Sequence, residues 1–354
     1  MYSWKMTGLN ADFKLIESPL PELKKNEVLV KVAGCGVCHT DLSFWHYGVK
    51  TKHELPLTLG HEISGKVIAG KDEWIGKKVI IPAVLPCGEC ELCLSDKSNI
   101  CQNQLMPGND FDGGFASHVN VPFKYLCPVP ENVLDKYPLK ILSIVADAIS
   151  TPYQVIKKSG LKENDFAIVI GVGGIGIYGA LIAKITPIGT SGAKVLAIDI
   201  SDEKLKVAET NGADAILNIK EMDIRSIKKK VREIATELGV SPYQWKIFEM
   251  SGTKAGQELG FVLLTFASTL SIVGFTLDKL EVRLSNLMAF DSQLIGTWGC
   301  KPELYPEVVD LVATDKLKID QFVQTFPLSK INEVFQNTLQ HKYIKRSILL
   351  PDFD

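Results

Sequence analysis

Four cysteines lie close together at fixed spacing, and their type points to metal binding. Residues 87–93 read Cys-Gly-Glu-Cys-Glu-Leu-Cys, and a fourth cysteine follows after seven further residues. Four soft thiolate ligands on one short segment suit a tetrahedral zinc ion, and such a closed site leaves no position for a substrate. We therefore predict a structural zinc site that organises a loop, with the ligands Cys87, Cys90, Cys93 and Cys101.

A glycine-rich motif later in the chain has the form that binds dinucleotides. Gly171, Gly173 and Gly176 form G-x-G-x-x-G, with Gly174 inside it, between an apolar strand-like run and a helix-like stretch. In this motif the glycines allow a tight turn, a close approach of the backbone to a pyrophosphate, and close packing of helix on strand. The phosphates would lie at the helix N-terminus. The alternative is a glycine-rich turn that binds nothing.

An acidic residue at the end of the following strand indicates which dinucleotide is bound. Asp199 can accept hydrogen bonds from a ribose 2′-hydroxyl and would repel a 2′-phosphate, so we predict NAD rather than NADP. Lys204 follows closely and could lie along the adenosine ribose. The alternative for Lys204 is a solvated position on a helix face.

The elements around these motifs divide the chain into two parts. Residues 1–150 show alternating strand patterns punctuated by Gly and Pro, which predicts a β-rich domain. Residues 151–299 alternate apolar strands with helices, which predicts a doubly wound parallel sheet of the Rossmann type, hence an α/β protein. We expect residues 300–354 to rejoin the first domain.

Composition excludes several other classes of function. The chain has 354 residues, 23% charged residues and a formal net charge of -2, which gives no case for binding nucleic acid or an anionic membrane. Residues 166–183 lack charge, but five glycines interrupt them and a strand-turn-helix explains them better than a membrane span. Four of the eight cysteines cluster at metal spacing and the chain shows no secretory signal, which favours a reducing cytoplasm over four disulfides.

Two further segments precede the motifs above, and the whole set in its order along the chain resembles that of a known family. They are Gly34-Cys-Gly-Val-Cys-His-Thr-Asp41 and Gly60-His-Glu62. Nearly end to end, the chain resembles the zinc-containing medium-chain alcohol dehydrogenases. The resemblance implies a GroES-like catalytic domain joined to the Rossmann domain, NAD, two zinc ions, a small-molecule substrate and a homo-oligomer, either a dimer or a tetramer.

The resemblance also implies the ligands of a second, catalytic zinc. Cys38 and His61 match two ligands of the family, and Asp147 stands where the third ligand is usually a cysteine. Zinc accepts carboxylate oxygen, so the departure is chemically tolerable, and the harder donor should leave the zinc a stronger Lewis acid. The alternative is that Asp147 only caps the helix that begins near Ser150. Glu62 is expected as a transient ligand or a carboxylate behind the ligands.

Further family roles fall on residues near these ligands. Thr40 matches the hydroxyl that takes the proton of the substrate alcohol, and the relay would continue to Ser43 or His46. Asp41 matches a residue that orients the zinc-ligand histidine. Two positions match contacts to the cofactor pyrophosphate, namely His39 and Arg346.

Four segments look like a narrower subgroup, the dehydrogenases that oxidise the ring alcohol 6-hydroxycyclohex-1-ene-1-carbonyl-CoA with NAD in anaerobic benzoyl-CoA degradation. They are residues 55–65, 106–118, 145–154 and 282–290, and the aspartate at position 147 also matches this subgroup. The substrate thioester rests on this resemblance alone. Candidate contacts to CoA phosphates, equally explained as surface charges, are Lys50, Lys52 and Arg283.

Three alternatives stay open at this point. The chain could be a generic NAD-dependent secondary alcohol dehydrogenase. It could instead be a reductase that adds hydride to the β-carbon of an enoyl-CoA, since zinc could polarise a thioester carbonyl. A silent dinucleotide-binding protein is disfavoured because Cys38 and His61 are both present.

Overall fold

The structure is a computed structural model that describes residues 1–186 and 190–353. Contacts between Cα atoms divide it into two compact units, one formed by Met1–Ser150 with Gly299–Asp354 and the other by Thr151–Trp298. The strands in chain order are β1 (Tyr2–Met6), β2 (Lys14–Glu17), β3 (Glu27–Gly36), β4 (Leu57–Thr58), β5 (Glu62–Ala69), β6 (Lys78–Ile81), β7 (His118–Pro122), β8 (Cys127–Pro128), β9 (Phe166–Ile170), β10 (Lys194–Asp199), β11 (Ala215–Asn218), β12 (Lys246–Glu249), β13 (Thr269–Ile272), β14 (Gln293–Gly296), β15 (Val323–Pro327) and β16 (Arg346–Leu350).

Among the residues that the structure describes, the α-helices are longer and more numerous in the second unit than in the first 150 residues. In chain order they are α1 (His39–Trp45), α2 (Glu91–Leu94), α3 (Glu131–Leu134), α4 (Ser150–Ser159), α5 (Gly176–Lys184), α6 (Asp202–Thr210), α7 (Ile224–Glu237), α8 (Lys254–Val262), α9 (Ser285–Phe290), α10 (Tyr305–Ala313) and α11 (Ile331–Leu339). A 3₁₀ helix, Leu139–Ala146, precedes α4. No helix within the two described ranges is long and apolar enough to cross a membrane.

The first unit is built on a seven-stranded sheet. Its order is β15-β16-β3-β5-β6-β8, with β7 paired to β3, and β1, β2 and β4 form a separate small sheet. The register pairs Gly36 of β3 with Glu62 of β5, so the loop that leaves β3 toward Cys38 and the loop that carries His61 meet at one end of the sheet. Apolar residues from both sheets form one core, with Trp45 and Phe115 among its fully buried members.

The second unit is a doubly wound parallel sheet, as the sequence predicts. Its six strands have the order β11-β10-β9-β12-β13-β14, and every pair is parallel. This is the order of a dinucleotide-binding sheet, whose direction of winding reverses between β9 and β12. The glycine-rich turn follows β9 directly, so it lies at the carboxyl end of the strand where ligands bind in such sheets.

Candidate active site and metal centres

The four clustered cysteines meet at one point in the first unit. The Sγ–Sγ separations are 3.5 Å for Cys90–Cys93 and for Cys87–Cys101, 3.7 Å for Cys90–Cys101 and 3.9 Å for Cys87–Cys93. A tetrahedron of sulfurs about 2.3 Å from zinc has edges of about 3.8 Å. The donor set and its spacing therefore fit a closed tetrahedral zinc.

Short local elements hold these sulfurs in place. The helix α2 begins directly after Cys90 and carries Cys93, and a 3₁₀ turn at Ser98–Ile100 leads into Cys101. The backbone N–H groups of Glu89 and Cys90 lower the pKa of the Cys87 thiol to about 6. Burial raises the pKa of the Cys93 thiol to about 12 and also raises that of Cys101. A thiolate is the form that binds metal, so the backbone favours the ionised ligand at Cys87.

The second cluster joins residues that are far apart in sequence. Ligand atoms of Cys38, His61, Glu62 and Asp147 lie within 4.8 Å of one another. The Asp147 Oδ2 atom is 3.5 Å from Cys38 Sγ and 3.8 Å from His61 Nε2. For zinc bonds of about 2.3 Å to sulfur and 2.0–2.2 Å to oxygen and nitrogen, tetrahedral neighbours lie roughly 3.3–3.6 Å apart. The spacing thus fits a zinc held by one sulfur, one nitrogen and one oxygen.

Each of these side chains lies at the end of an element. Cys38 precedes the first residue of α1, and His61 precedes β5. Asp147 ends the 3₁₀ helix with φ -144° and ψ -54°, and α4 begins three residues later. Cys38 and His61 are 3% and 2% exposed, whereas the Asp147 side chain is 13% exposed.

Asp41 joins the two loops that carry Cys38 and His61. Its fully buried carboxylate accepts hydrogen bonds from the backbone N–H of Cys38 at 2.9 Å and of Gly60 at 3.1 Å. The Oδ1 atom also lies 3.4 Å from His61 Nδ1, which turns Nε2 toward Asp147. At this distance the attraction is mainly electrostatic. The arrangement supports the predicted orienting role of Asp41.

The electrostatics of this cluster suit a cation. Burial alone lowers the pKa of His61, but the carboxylates of Asp41 and Asp147 and the sulfur of Cys38 raise it well above its usual value. In this cluster the anionic neighbours therefore stabilise a positive charge on the imidazole by more than burial destabilises it. A bound divalent ion would satisfy the same negative charge and leave His61 neutral.

Arg346 and Glu62 form a buried ion pair beside the cluster, which differs from the separate roles expected for them. The guanidinium donates from Nε to Glu62 Oε2 at 3.1 Å and from Nη2 to Oε1. Burial raises the pKa of the Glu62 carboxyl, and the guanidinium opposes that rise. Two of the five guanidinium N–H groups are therefore used, so a pyrophosphate contact by Arg346 would use the remaining N–H groups on Nη1 and Nη2. That contact stays a prediction, as does ligation by Glu62.

The predicted proton relay has its first group next to the cluster. The Thr40 hydroxyl lies 3.7 Å from Cys38 Sγ. Ser43 is buried and donates to the carbonyl of His39 at 2.9 Å, and His46 Nδ1 pairs with the Asn10 side chain. His39 is exposed at the start of α1, with its ring stacked 6.1 Å from that of His341.

The glycine-rich turn has the geometry that its sequence predicts. Gly171 has φ +83°, and a Cβ there would come 2.6 Å from the Ser251 Cα, while a Cβ at Gly176 would overlap the Gly171 carbonyl. The space in front of Gly173 is open apart from the Lys204 Nζ, 3.9 Å from where a Cβ would be. An open, glycine-lined turn before α5 leaves room for a pyrophosphate.

Asp199 binds the backbone around this turn. Its Oδ2 accepts from Val172 N at 2.9 Å, and its Oδ1 accepts from Ile200 N at 2.8 Å and Ser201 N at 3.0 Å. The structure therefore gathers the glycines, Asp199 and Lys204 at one edge of the sheet. The carboxylate fixes the turn in addition to its predicted role toward a ribose.

Two polar groups near these sites are not predicted from the sequence. Tyr305 is fully buried and its hydroxyl donates to the carbonyl of Ala146, directly before Asp147. Glu249 is fully buried at the end of β12, where its Oε1 accepts from the backbone N–H of Ser251 and Gly252. For Glu249, the sequence offers only an acidic residue at the end of an apolar strand. The Tyr305 contact joins residues 159 positions apart, which no local pattern indicates.

Comparison with known proteins agrees with the geometry. Residues 24–131 match the model of the alcohol dehydrogenase GroES-like domain, and residues 174–314 match that of zinc-binding dehydrogenases. An alcohol dehydrogenase of Geobacillus stearothermophilus is 32% identical over 335 residues, which cover 93% of each chain.

Solved structures are similar over almost the whole chain. The alcohol dehydrogenase of Aeropyrum pernix has a TM-score of 0.87 at 27% identity, covering 99% of this chain and 100% of the other. Galactitol-1-phosphate dehydrogenase of Escherichia coli has a TM-score of 0.87 at 25% identity, with the same coverage.

The α/β fold and the cofactor prediction of a nicotinamide dinucleotide with two zinc ions are confirmed, since the family is a zinc-binding dehydrogenase and the described residues contain two fitting ligand clusters. In sequence, fold and metal-ligand geometry, this chain belongs to the zinc-containing medium-chain alcohol dehydrogenase family.

Proposed function

We propose that the chain passes hydride between NAD and a cyclic hydroxyacyl-CoA, oxidising the ring alcohol of 6-hydroxycyclohex-1-ene-1-carbonyl-CoA to the 6-oxo product in anaerobic benzoyl-CoA degradation. The observation that carries this proposal is the Asp147 carboxylate, 3.5 Å from Cys38 Sγ in the open cluster. The subgroup that oxidises such thioesters is similar to this chain in having an aspartate at this position and in the four segments named above.

The chain's own residues supply the site in which this reaction would occur. Cys38, His61 and Asp147 would hold a zinc ion and leave a position open, as catalytic zinc sites do. When bound, zinc supplies a Lewis acid for the substrate oxygen and NAD supplies the hydride acceptor. The carboxylate ligand is a harder donor than the family's usual thiolate, which suits a metal that must draw charge from that oxygen.

Proton handling falls to Thr40 in this proposal. Its hydroxyl lies beside Cys38 and can accept the proton of the substrate alcohol and pass it outward. The Ser43 hydroxyl donates to the His39 carbonyl, but its lone pairs remain able to accept a proton from a neighbour. Asp41 keeps the imidazole of His61 turned toward the metal position, as partners of ligating histidines do.

Asp199 supports NAD rather than NADP as the cofactor. Its carboxylate ends β10 beside the glycine-rich turn, where a ribose diol could donate to it and a 2′-phosphate would meet like charge. Lys204 lies over the same turn and could contact the ribose or a phosphate. Both assignments belong to the proposal.

The basic residues suggested for CoA differ in their surroundings. All three are exposed, and Lys52 also pairs with Asp110 at 3.1 Å. A phosphate of CoA would have to compete with that carboxylate at Lys52. We also infer a homo-oligomer, to be tested by light scattering, and a reducing cytoplasm, with which eight free cysteines agree.

A substrate panel with purified zinc-loaded enzyme tests this function. NADH formation is followed with 6-hydroxycyclohex-1-ene-1-carbonyl-CoA, with the same ring carried as a methyl ester, and with cyclohexanol. The proposal expects the CoA thioester to be preferred in kcat/KM by at least tenfold over the ester.

Equal rates with the ester or with cyclohexanol would instead identify a generic secondary alcohol dehydrogenase. Oxidation of NADH by a cyclic dienoyl-CoA, with no reaction of the hydroxyacyl-CoA, would identify a reductase that adds hydride to the β-carbon. Either result overturns the proposed substrate and leaves the family assignment in place.

A further inference from the structure

Tyr305 begins α10 and is one of the largest fully buried side chains in the first unit. Its hydroxyl accepts a hydrogen bond from the backbone N–H of Ala83 at 3.2 Å and donates one to the carbonyl of Ala146. A buried tyrosine could make such bonds merely to satisfy its own polar group. The carbonyl that it contacts directly precedes Asp147, so the bond also fixes the backbone next to a predicted metal ligand.

The Ala146 carbonyl ends the 3₁₀ helix directly before Asp147. Helix ends leave backbone carbonyls without intrahelical partners, and this one is covered by two hydroxyls, since Ser150 Oγ also donates to it at 3.1 Å. The peptide that joins Ala146 to Asp147 is therefore held by two side chains. Both neighbours of Asp147 are buried, with Ala146 1% and Ala148 0% exposed.

Fixing this peptide matters for a carboxylate ligand. Asp147 leaves the helical conformation, with φ -144° and ψ -54°, so no helix ladder sets the direction of its side chain. Hydrogen bonds that orient ligands from behind typically raise metal affinity about 10–100-fold. Here the bonded group is the preceding carbonyl rather than the carboxylate itself, so the effect should be at the lower end.

We propose that Tyr305 is a positioning residue, which through the Ala146 carbonyl holds Asp147 at the catalytic metal. Ser150 assists it through the same carbonyl. The inference rests on the proposed function, because it requires Asp147 to be a ligand. It assigns no part in the chemistry to Tyr305, whose hydroxyl contacts two backbone groups and the Ser150 hydroxyl rather than the ligand atoms.

The test compares metal affinity at the open site in full-length protein by competition with a zinc chelator. Tyr305→Phe keeps the ring and removes both hydrogen bonds. We expect the open site to lose affinity by about tenfold while the four-cysteine site keeps its zinc. The matched control is Tyr137→Phe, a buried tyrosine that hydrogen-bonds the backbone of Ile319, and it should leave both affinities unchanged.

Unchanged affinity of the open site in Tyr305→Phe, with only a lower melting temperature, would show a merely structural tyrosine and overturn the inference. Ser150→Ala removes the second bond to the same carbonyl and provides the test if Tyr305→Phe fails to fold. Asp147→Ala separates the two claims. If it keeps the metal, the ligand assignment fails and this inference with it; if it loses the metal while Tyr305→Phe does not, only the inference fails.

Discussion

The guanidinium of Arg346 holds the carboxylate of Glu62 by two hydrogen bonds, although 284 positions separate the residues. Glu62 begins β5 and Arg346 begins β16, and both strands belong to the seven-stranded sheet. The pair lies next to Cys38 and Asp147, whose charges act on the arginine. A positive group is thereby buried beside the anionic ligands without entering the ligand set.

Removing the arginine should destabilise the protein strongly. Arg346→Met leaves the fully buried Glu62 without its counter-charge, a change that typically costs about 3–5 kcal/mol. The free energy of unfolding in urea measures it. The control is Lys71→Met, which breaks an exposed pair with Glu73 and should cost much less. Similar losses in the two variants would contradict the importance of the buried pair.

The two zinc clusters should respond differently to the same substitution. Cys90→Ser removes a ligand of the closed site, so we expect one zinc to be lost together with a clear fall in melting temperature. Cys38→Ser should abolish turnover and leave the fold intact, because the open site serves chemistry. Metal analysis, thermal unfolding and rates are measured on both variants. A Cys90→Ser protein with two zinc ions and a normal melting temperature would refute the structural role.

Asp199 should set the cofactor preference. Asp199→Ala removes the charge that repels a 2′-phosphate, so the ratio of kcat/KM for NAD over NADP should fall on the order of tenfold, or about 1.4 kcal/mol. Asp202→Ala is the control, since that carboxylate contacts Asn218. Equal efficiency with both cofactors in the unmodified protein would defeat the prediction.

Glu249 should make stability depend on pH. Burial raises the pKa of its carboxyl in the folded state, while hydrogen bonds from Ser251 and Gly252 oppose the rise. The folded protein therefore binds more protons than the unfolded chain between the two pKa values, so this group's contribution is present in acid and is lost as pH rises. Glu249→Gln should accordingly gain stability relative to wild type between about pH 4 and pH 8. The urea midpoints of both proteins at the two pH values measure this gain. The control is Glu258→Gln, which changes a carboxylate paired with Lys254 on the surface. A gain in Glu249→Gln that does not depend on pH would contradict the assignment.

Local spacing predicts the four-cysteine site and the glycine-rich turn, whereas only the family resemblance predicts Cys38, His61 and Asp147 as a second ligand set. The four-cysteine loop and the glycine-rich turn each occupy one short segment, so composition and spacing define the local chemistry. The strand-turn-helix over residues 166–183 is likewise confirmed by β9 and α5. The Glu62–Arg346 pair and the Tyr305–Ala146 bond could not be read in this way, because each joins strands or helices that only the folded sheet brings together.

The zinc content of Asp147→Ala tests the central claim, that Asp147 completes the catalytic metal site with Cys38 and His61. Wild type should carry two zinc ions per chain, and the variant should carry one, with turnover lost. Loss of a helix cap alone would cost about 0.5–2 kcal/mol of stability and leave the chemistry largely intact. Two zinc ions per chain and near-normal turnover in Asp147→Ala would show that the aspartate is not a ligand and would contradict the account.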